Sequence, residues 1–182
     1  MKKGYEKTTM QDVMATLKIA KGTIYHYFKS KEELLEAVVN GMVDEYLSGL
    51  QAVLNEATGN ALEKMRMLLA VGDVRNKEGQ LLEDLHASGN IGLHTRLLAV
   101  TLSRMAPLFA RVIQQGCDEG LFKTQHPLEC AELLLAGIQF LTDVGFYQWT
   151  EEDLARRARA IPSLVETQLN AQKGSFGFLR GK

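Results

Sequence analysis

Proline and cysteine are scarce, at three and two residues in 182, and each scarcity excludes something. Cys117 and Cys130 form no CxxC pair, so neither a zinc site nor a disulfide framework is indicated, and a reducing, cytoplasmic setting is expected. No apolar run approaches the roughly 20 residues needed to span a bilayer, and the first residues lack a signal-peptide core, so no membrane partner is expected. GxSxG, P-loop and dinucleotide fingerprints are missing as well, so the expectation is a non-enzymatic protein with no catalytic residue and no cofactor.

The apolar residues are mostly Leu, Ala, Met and Val, which with so little proline predicts an all-α fold. The net charge of −1 is segregated. Residues 1–31 hold seven Lys against Glu6 and Asp12, a net +5, so residues 32–182 carry −6. A short basic end on an acidic body suits contact with a polyanion, although a lysine-rich solvated terminus has the same composition.

Met10, Val13, Met14 and Leu17 recur at helical spacing and predict a short helix over 9–17, capped by Thr8 or Thr9. After a three-residue connection, a second helix is expected over 21–28, with Ile24, Tyr27 and Phe28 on one face and Lys21, Thr23, Tyr25 and His26 around the other. Ser30 and Glu33 form a capping box that opens a long amphipathic helix reaching Thr58, roughly 35 to 40 Å and enough to link two domains. Further helices are expected over about 61–76, 80–87 and 93–115, with 117–126 as a loop. Pro127 belongs in the first turn of a helix through about 148. An acidic first turn at Glu151, Glu152 and Asp153 opens a last helix to about 171, which Pro162 is expected to kink or split. The tail from Gly174 shows no period.

Helix, short turn, helix with flanking lysines is the arrangement that places a recognition helix in the DNA major groove. The stretch TMQDVMATLKIAKGTIYHYFKSKEELLEAV resembles the DNA-binding signature of the TetR family of bacterial transcriptional repressors. EGLFKTQHPLECAELLLAG is similar, more weakly, to the loop and dimer-helix start of that family. The resemblance implies a homodimer, each subunit with a helix-turn-helix domain, here 1–46, and an effector-binding and dimerisation domain, here 47–182. It implies a double-stranded DNA operator, a palindrome, as partner and a small-molecule effector as ligand. Thr9, Lys21, Gly22, Thr23, Tyr25, His26, Tyr27 and Lys31 occupy the positions the family uses for operator contacts.

The same resemblance pairs the last two long helices across the two-fold axis, through Leu134, Leu135, Ile138, Leu141, Leu164 and Val165. Met65, Leu68, His86, Leu97, Leu98 and Met105 are candidates for the effector pocket, since methionine adapts to varied apolar ligands, although such residues also serve simply as core. Glu83 and His86 form an E-x-x-H pair with His94 eight residues on. A di-metal site needs two such pairs, so no metal is expected.

The sequence departs from the family pattern at Lys18, where the turn usually has Gly, and at Ala20, where the recognition helix usually has a Ser or Thr cap. The segment KKGYEKTT is one that the family's first helix precedes. Without that helix, Val13, Leu17, Tyr27 and Phe28 are expected to leave an apolar patch beside the recognition helix. The alternative to a repressor is therefore a dimeric ligand- or protein-binding module without operator affinity.

Overall fold

A computed structural model describes residues 4–75 and 90–180. Among them are eight α-helices and no strand: α1 (Gly4–Lys7), α2 (Met10–Leu17), α3 (Lys21–Tyr27), α4 (Lys31–Glu56), α5 (Ala61–Arg75), α6 (Ile91–Asp118), α7 (Pro127–Thr142) and α8 (Glu151–Leu169). A 3-10 turn, Gly177–Arg180, follows. The all-α expectation holds. The helix expected over 80–87, with Glu83 and His86, lies outside the described residues.

Helix boundaries follow local chemistry. Thr9 caps α2 by accepting the Asp12 amide proton, while the Asp12 carboxylate accepts from the Thr9 amide, a reciprocal box that fixes where the helix starts. Lys18 ends it in the left-handed region at φ 55°, a conformation that costs a lysine more than the usual glycine. Ser30 caps α4 at the Glu33 amide, and Thr150 with Asp153 builds the same box on α8.

Two boundaries differ from the sequence expectation. Helix α7 stops at Thr142 rather than near 148, because the Asp143 carboxylate accepts from the amides of Gly145 (2.7 Å) and Phe146 (3.0 Å) and so withdraws them from the helical ladder. Helix α6 runs on to Asp118, where Gly120 turns at φ 72° and the Leu121 and Phe122 amides return to the Gly116 carbonyl. Pro162 does not split α8, which is continuous through it with the proline ring buried.

Two apolar clusters share α4. The larger gathers Leu50, Met65, Leu68, Phe109, Ile113, Phe122, Ala131, Val165, Leu169 and Phe176 from α4 to the tail. The smaller, at the amino-terminal end, is Val39, Val43 and Leu93, with Tyr5, Leu35, Leu47, Leu97 and Val100 packed on it. Leu47 touches both, so α4 is a continuous rod through the two clusters. The tail, which shows no sequence period, is part of the core: the Glu166 carboxylate accepts from the amides of Gly174 (2.9 Å) and Phe176 (3.0 Å), and Phe176 packs on Phe122 with ring centroids 5.7 Å apart.

By length and composition α6 could cross a membrane, with mean hydropathy of 1.3 in its most apolar stretch. It packs instead on α4, α5 and α7, with Arg96, Arg104 and Arg111 turned toward α4.

Candidate nucleic-acid interface

Helix α3 is anchored by one side chain. Ile24 is 4% exposed, while Lys21, Gly22, Thr23, Tyr25, His26 and Tyr27 all face solvent. Seven residues make only two turns, too short to be stable alone, so the element depends on tertiary packing, which the burial of Ile24 provides. Ala20, standing at the cap, supplies no side-chain acceptor, and the Thr23 amide closes a tight turn onto the Ala20 carbonyl at 3.0 Å.

The exposed surface of α3 combines cation, aromatic and imidazole. The Lys21 ammonium lies 5.7 Å from the Tyr25 ring centroid, and the His26 ring meets Tyr27 edge-on at 5.0 Å. A methyl group placed on Gly22 would meet no atom within 4 Å. Nothing inside the protomer therefore requires glycine there, although glycine costs a helix roughly 0.5 to 1 kcal/mol. Thr9 is exposed at the start of α2, its hydroxyl engaged with Asp12.

Tyr27, on the helical face of Ile24 and Phe28 and also among the expected operator contacts, is 67% exposed and so lies on the outward side. Leu17 of α2 is likewise exposed, at 61%, whereas Val13 and Phe28, expected in the same apolar patch, are half-buried. Lys31 is held internally: its ammonium donates to the carbonyls of Tyr5 (2.7 Å) and Glu6 (3.2 Å) and sits 4.1 Å over the Tyr5 ring. A cation at the carboxy-terminal end of α1 adds a charged donor to the carbonyls there. The Tyr5 amide in turn donates to the Asn90 side chain at the start of α6, which ties the amino-terminal segment to that helix beside the smaller cluster.

A second feature is a small cavity of about 30 Å³, lined only by apolar side chains, among them Met65, Phe109, Ile113, Leu135, Ile138 and Val165. Of the six residues expected around an effector, Met65 alone lines it. Leu68 and Met105 pack in the core nearby, Leu97 belongs to the smaller cluster, Leu98 is half-buried away from the lining, and His86 lies outside the described residues. The displacement has a helical cause: Phe109 and Ile113, three and more turns beyond Leu97, are the α6 residues level with α7 and α8.

Leu134, Leu135, Ile138 and Val165, expected at a dimer interface, line this cavity within the protomer; Val165 is fully packed there and offers no surface to a partner. Leu141 and Leu164 are exposed, together with Leu133, Phe140 and Val144 on the outer side of α7 and the segment after it. Among the described residues no group of three or more metal-binding side chains forms, and Glu83 and His86, considered with His94, lie outside them. His94 is buried, bonded to Asp143 at 3.0 Å and stacked on Phe146.

Comparison with known proteins follows this layout. Residues 1–38 match the family model described as bacterial regulatory proteins, tetR family, and residues 73–163 match the tetracyclin repressor-like C-terminal domain. An uncharacterized HTH-type transcriptional regulator of Bacillus subtilis, YfiR, is 27% identical over 178 residues, covering 94% of this chain and 87% of that one. The HTH-type transcriptional repressor KstR2 of Mycolicibacterium smegmatis is 36% identical over 63 residues, 35% of this chain; that of Mycobacterium tuberculosis is 22% identical over 125 residues, 66% of this chain. The matched segments span 30% and 62% of the length of those two repressors. Among solved structures, apo AibR and a tetR-family regulatory protein from Rhodococcus RHA1 share the fold, each with TM-score 0.53 over 94% of this chain, at 18% and 19% identity and covering 92% and 91% of the other chain.

Proposed function

The chain belongs to the TetR family of bacterial regulators, and from that premise we propose that it is a DNA-binding transcriptional regulator, a ligand-responsive repressor that holds a palindromic operator as a homodimer in the cytoplasm. The observation that carries the reading is the solvent face of α3, where six consecutive-turn residues are turned outward around a single buried Ile24. Gly22, Thr23, Tyr25 and His26 would read or approach DNA, and Lys21 would neutralise phosphate.

The partner chain would lie on the exposed apolar side of α7 and α8, where Leu141 and Leu164 are half or more exposed. Burial of such residues against a second copy forms a four-helix bundle and removes a patch that a monomer would leave wet. Two recognition helices would then enter successive major grooves, roughly 34 to 36 Å apart. An apolar effector in the cavity between α5, α6, α7 and α8 would act by preferring one placement of α6 over another, and α4, packed along α6, would carry that preference to α3.

Selection of bound duplexes from a random pool tests the reading. The expected result is one enriched palindrome, protected by wild type and lost with Tyr25→Ala while the dimer persists in sedimentation. A dimer that enriches no sequence would favour the second reading, a ligand- or protein-binding module without operator affinity. The exposure of two large side chains, Leu17 and Tyr27, on the amino-terminal helices is the observation that favours that alternative.

A further inference from the structure

The tail after α8 supplies part of the wall of the apolar cavity. Phe176 and Leu179 line it together with Met65 of α5, Phe109 and Ile113 of α6 and Leu135 of α7. Phe176 is fully buried there, its ring centroid 5.7 Å from that of Phe122 and 5.6 Å from that of Phe178. The space left over is about 30 Å³, far below the roughly 300 Å³ at which small-molecule sites begin. With the tail in place, the cavity is too small for an effector.

The tail can leave without undoing a helix. Helix α8 closes by itself: Asn170 turns at φ 48°, and the amides of Asn170 and Ala171 return to the Thr167 and Glu166 carbonyls at 3.2 and 2.8 Å. Beyond that cap the Ser175, Gly177 and Leu179 amides donate to the Gln172, Gly174 and Phe176 carbonyls, bonds that travel with the segment. The Gly174 and Phe176 amides share a single acceptor on α8, one oxygen of Glu166. Gly174 is the joint, at φ 90°, a conformation open to glycine and strained for other residues. Docking also holds a polar group out of water, since the Ser175 hydroxyl is buried without a hydrogen-bond partner.

We propose that the seat of the tail is the effector site: a neutral apolar molecule about the size of the Phe176 and Leu179 side chains takes their place, and the tail swings out. The proposal rests on the reading of this region as the effector site of a regulator. Departure of the two side chains frees the room of a benzyl and an isobutyl group, above the roughly 150 Å³ in which a dry apolar cavity takes up benzene. The ligand buries against Met65, Phe109 and Ile113 the apolar area that the tail gives up, so the two occupants are closely matched. A charged ligand would meet no polar side chain on this wall and is disfavoured. Tail and ligand compete, so apparent affinity follows the fraction of molecules whose tail is released.

The full-length chain is titrated by calorimetry with isobutylbenzene, which joins the two vacated groups in one molecule, and amide exchange is followed in parallel. Saturation should speed exchange at Gly174, Phe176 and Leu179 by about tenfold or more while α7 keeps its protection. A ligand that merely fills a gap slows that exchange or leaves it unchanged. Two variants outside the lining move the competition in opposite directions. Gly174→Ala meets no atom within 4 Å and strains only the docked tail, so it should tighten isobutylbenzene binding about five- to thirtyfold. Ser175→Ala removes the desolvated hydroxyl, favours docking and should weaken binding about fivefold or more. Binding with tail exchange unchanged or slowed, either variant matching wild type, or no binding by Gly174→Ala overturns the proposal. Selection of duplexes by the ligand-free protein is unaffected by that failure. Conversely, tail release by isobutylbenzene in a protein that enriches no duplex overturns the regulator reading alone.

Discussion

Arg111 of α6 donates to Gln51 of α4 at 2.7 Å, sixty residues away in sequence, and repeats an offset already made by Arg96 with Glu36 and Arg104 with Asp44. The steps of eight and seven residues are each two helical turns, so the rungs stack along one line between parallel helices. Helix α4 cannot slide along α6 without breaking all three. The same α6 carries Phe109 and Ile113 into the cavity.

The rungs are solvent-exposed, and exposed ion pairs contribute about 0 to 1 kcal/mol each. Arg96→Ala with Arg104→Ala is therefore expected to lower stability by no more than about 2 kcal/mol, measured by urea unfolding. Ligand-induced release from DNA should weaken by roughly 0.5 to 2 kcal/mol of coupling, read as the ratio of DNA affinities with and without ligand. A coupling ratio equal to wild type would remove the rungs from the relay.

Gly22 supports a prediction of opposite signs. Alanine there meets no atom within 4 Å, so Gly22→Ala should stabilise the folded chain by about 0.5 to 1 kcal/mol in thermal unfolding. The added methyl occupies the space through which DNA backbone would approach, and DNA affinity should drop roughly tenfold or more, about 1.4 kcal/mol. Improved stability with unchanged DNA affinity would leave the glycine without a role.

Two lysines separate direct from indirect contributions. Lys21 is exposed on α3, and Lys21→Ala should weaken DNA binding uniformly across sequences and reduce the salt slope by about 1. Lys31 is bonded to the Tyr5 and Glu6 carbonyls. Lys31→Ala should accelerate amide exchange at Thr8, which donates to Tyr5, and weaken DNA binding with the salt slope unchanged.

Acid sensitivity follows from two helix-terminal carboxylates. Asp153 is held below its ordinary range by the Thr150 hydroxyl and amide, and Glu119 by the Gln115 side chain and the Ala61 amide that it caps from across the fold. With folded values depressed, their contribution is fully present above the ordinary carboxylate range, roughly pH 4, and is lost as pH falls through the lowered values. Asp153→Asn with Glu119→Gln should flatten the fall of the urea midpoint below about pH 4 while changing little at neutral pH in that dependence.

Much of the helical pattern is legible because it rests on local chemistry. Thr9, Ser30 and Thr150 cap helices within three residues of their partners, and the apolar spacing of α4 and α6 is sustained over many turns. What escapes the sequence depends on partners far away. The end of α7 at Thr142 is set by Asp143, whose other oxygen is bonded to His94; the tail is ordered by Glu166; and Lys31 meets Tyr5 twenty-six residues back. The exposed face of α3 is legible as a motif. The cavity is not, since its lining alternates with the outer face of the same helices: Leu134 lines it, whereas Leu141, seven residues on, is exposed.

The most direct test is a footprint on the palindrome enriched from a random pool, with the number of bound protomers counted by sedimentation. The account predicts a symmetric protected site, half-sites one helical turn or about 34 Å apart, occupied by protomers in pairs, with affinity falling steeply as salt rises. A folded dimer that protects no sequence at low salt would contradict it.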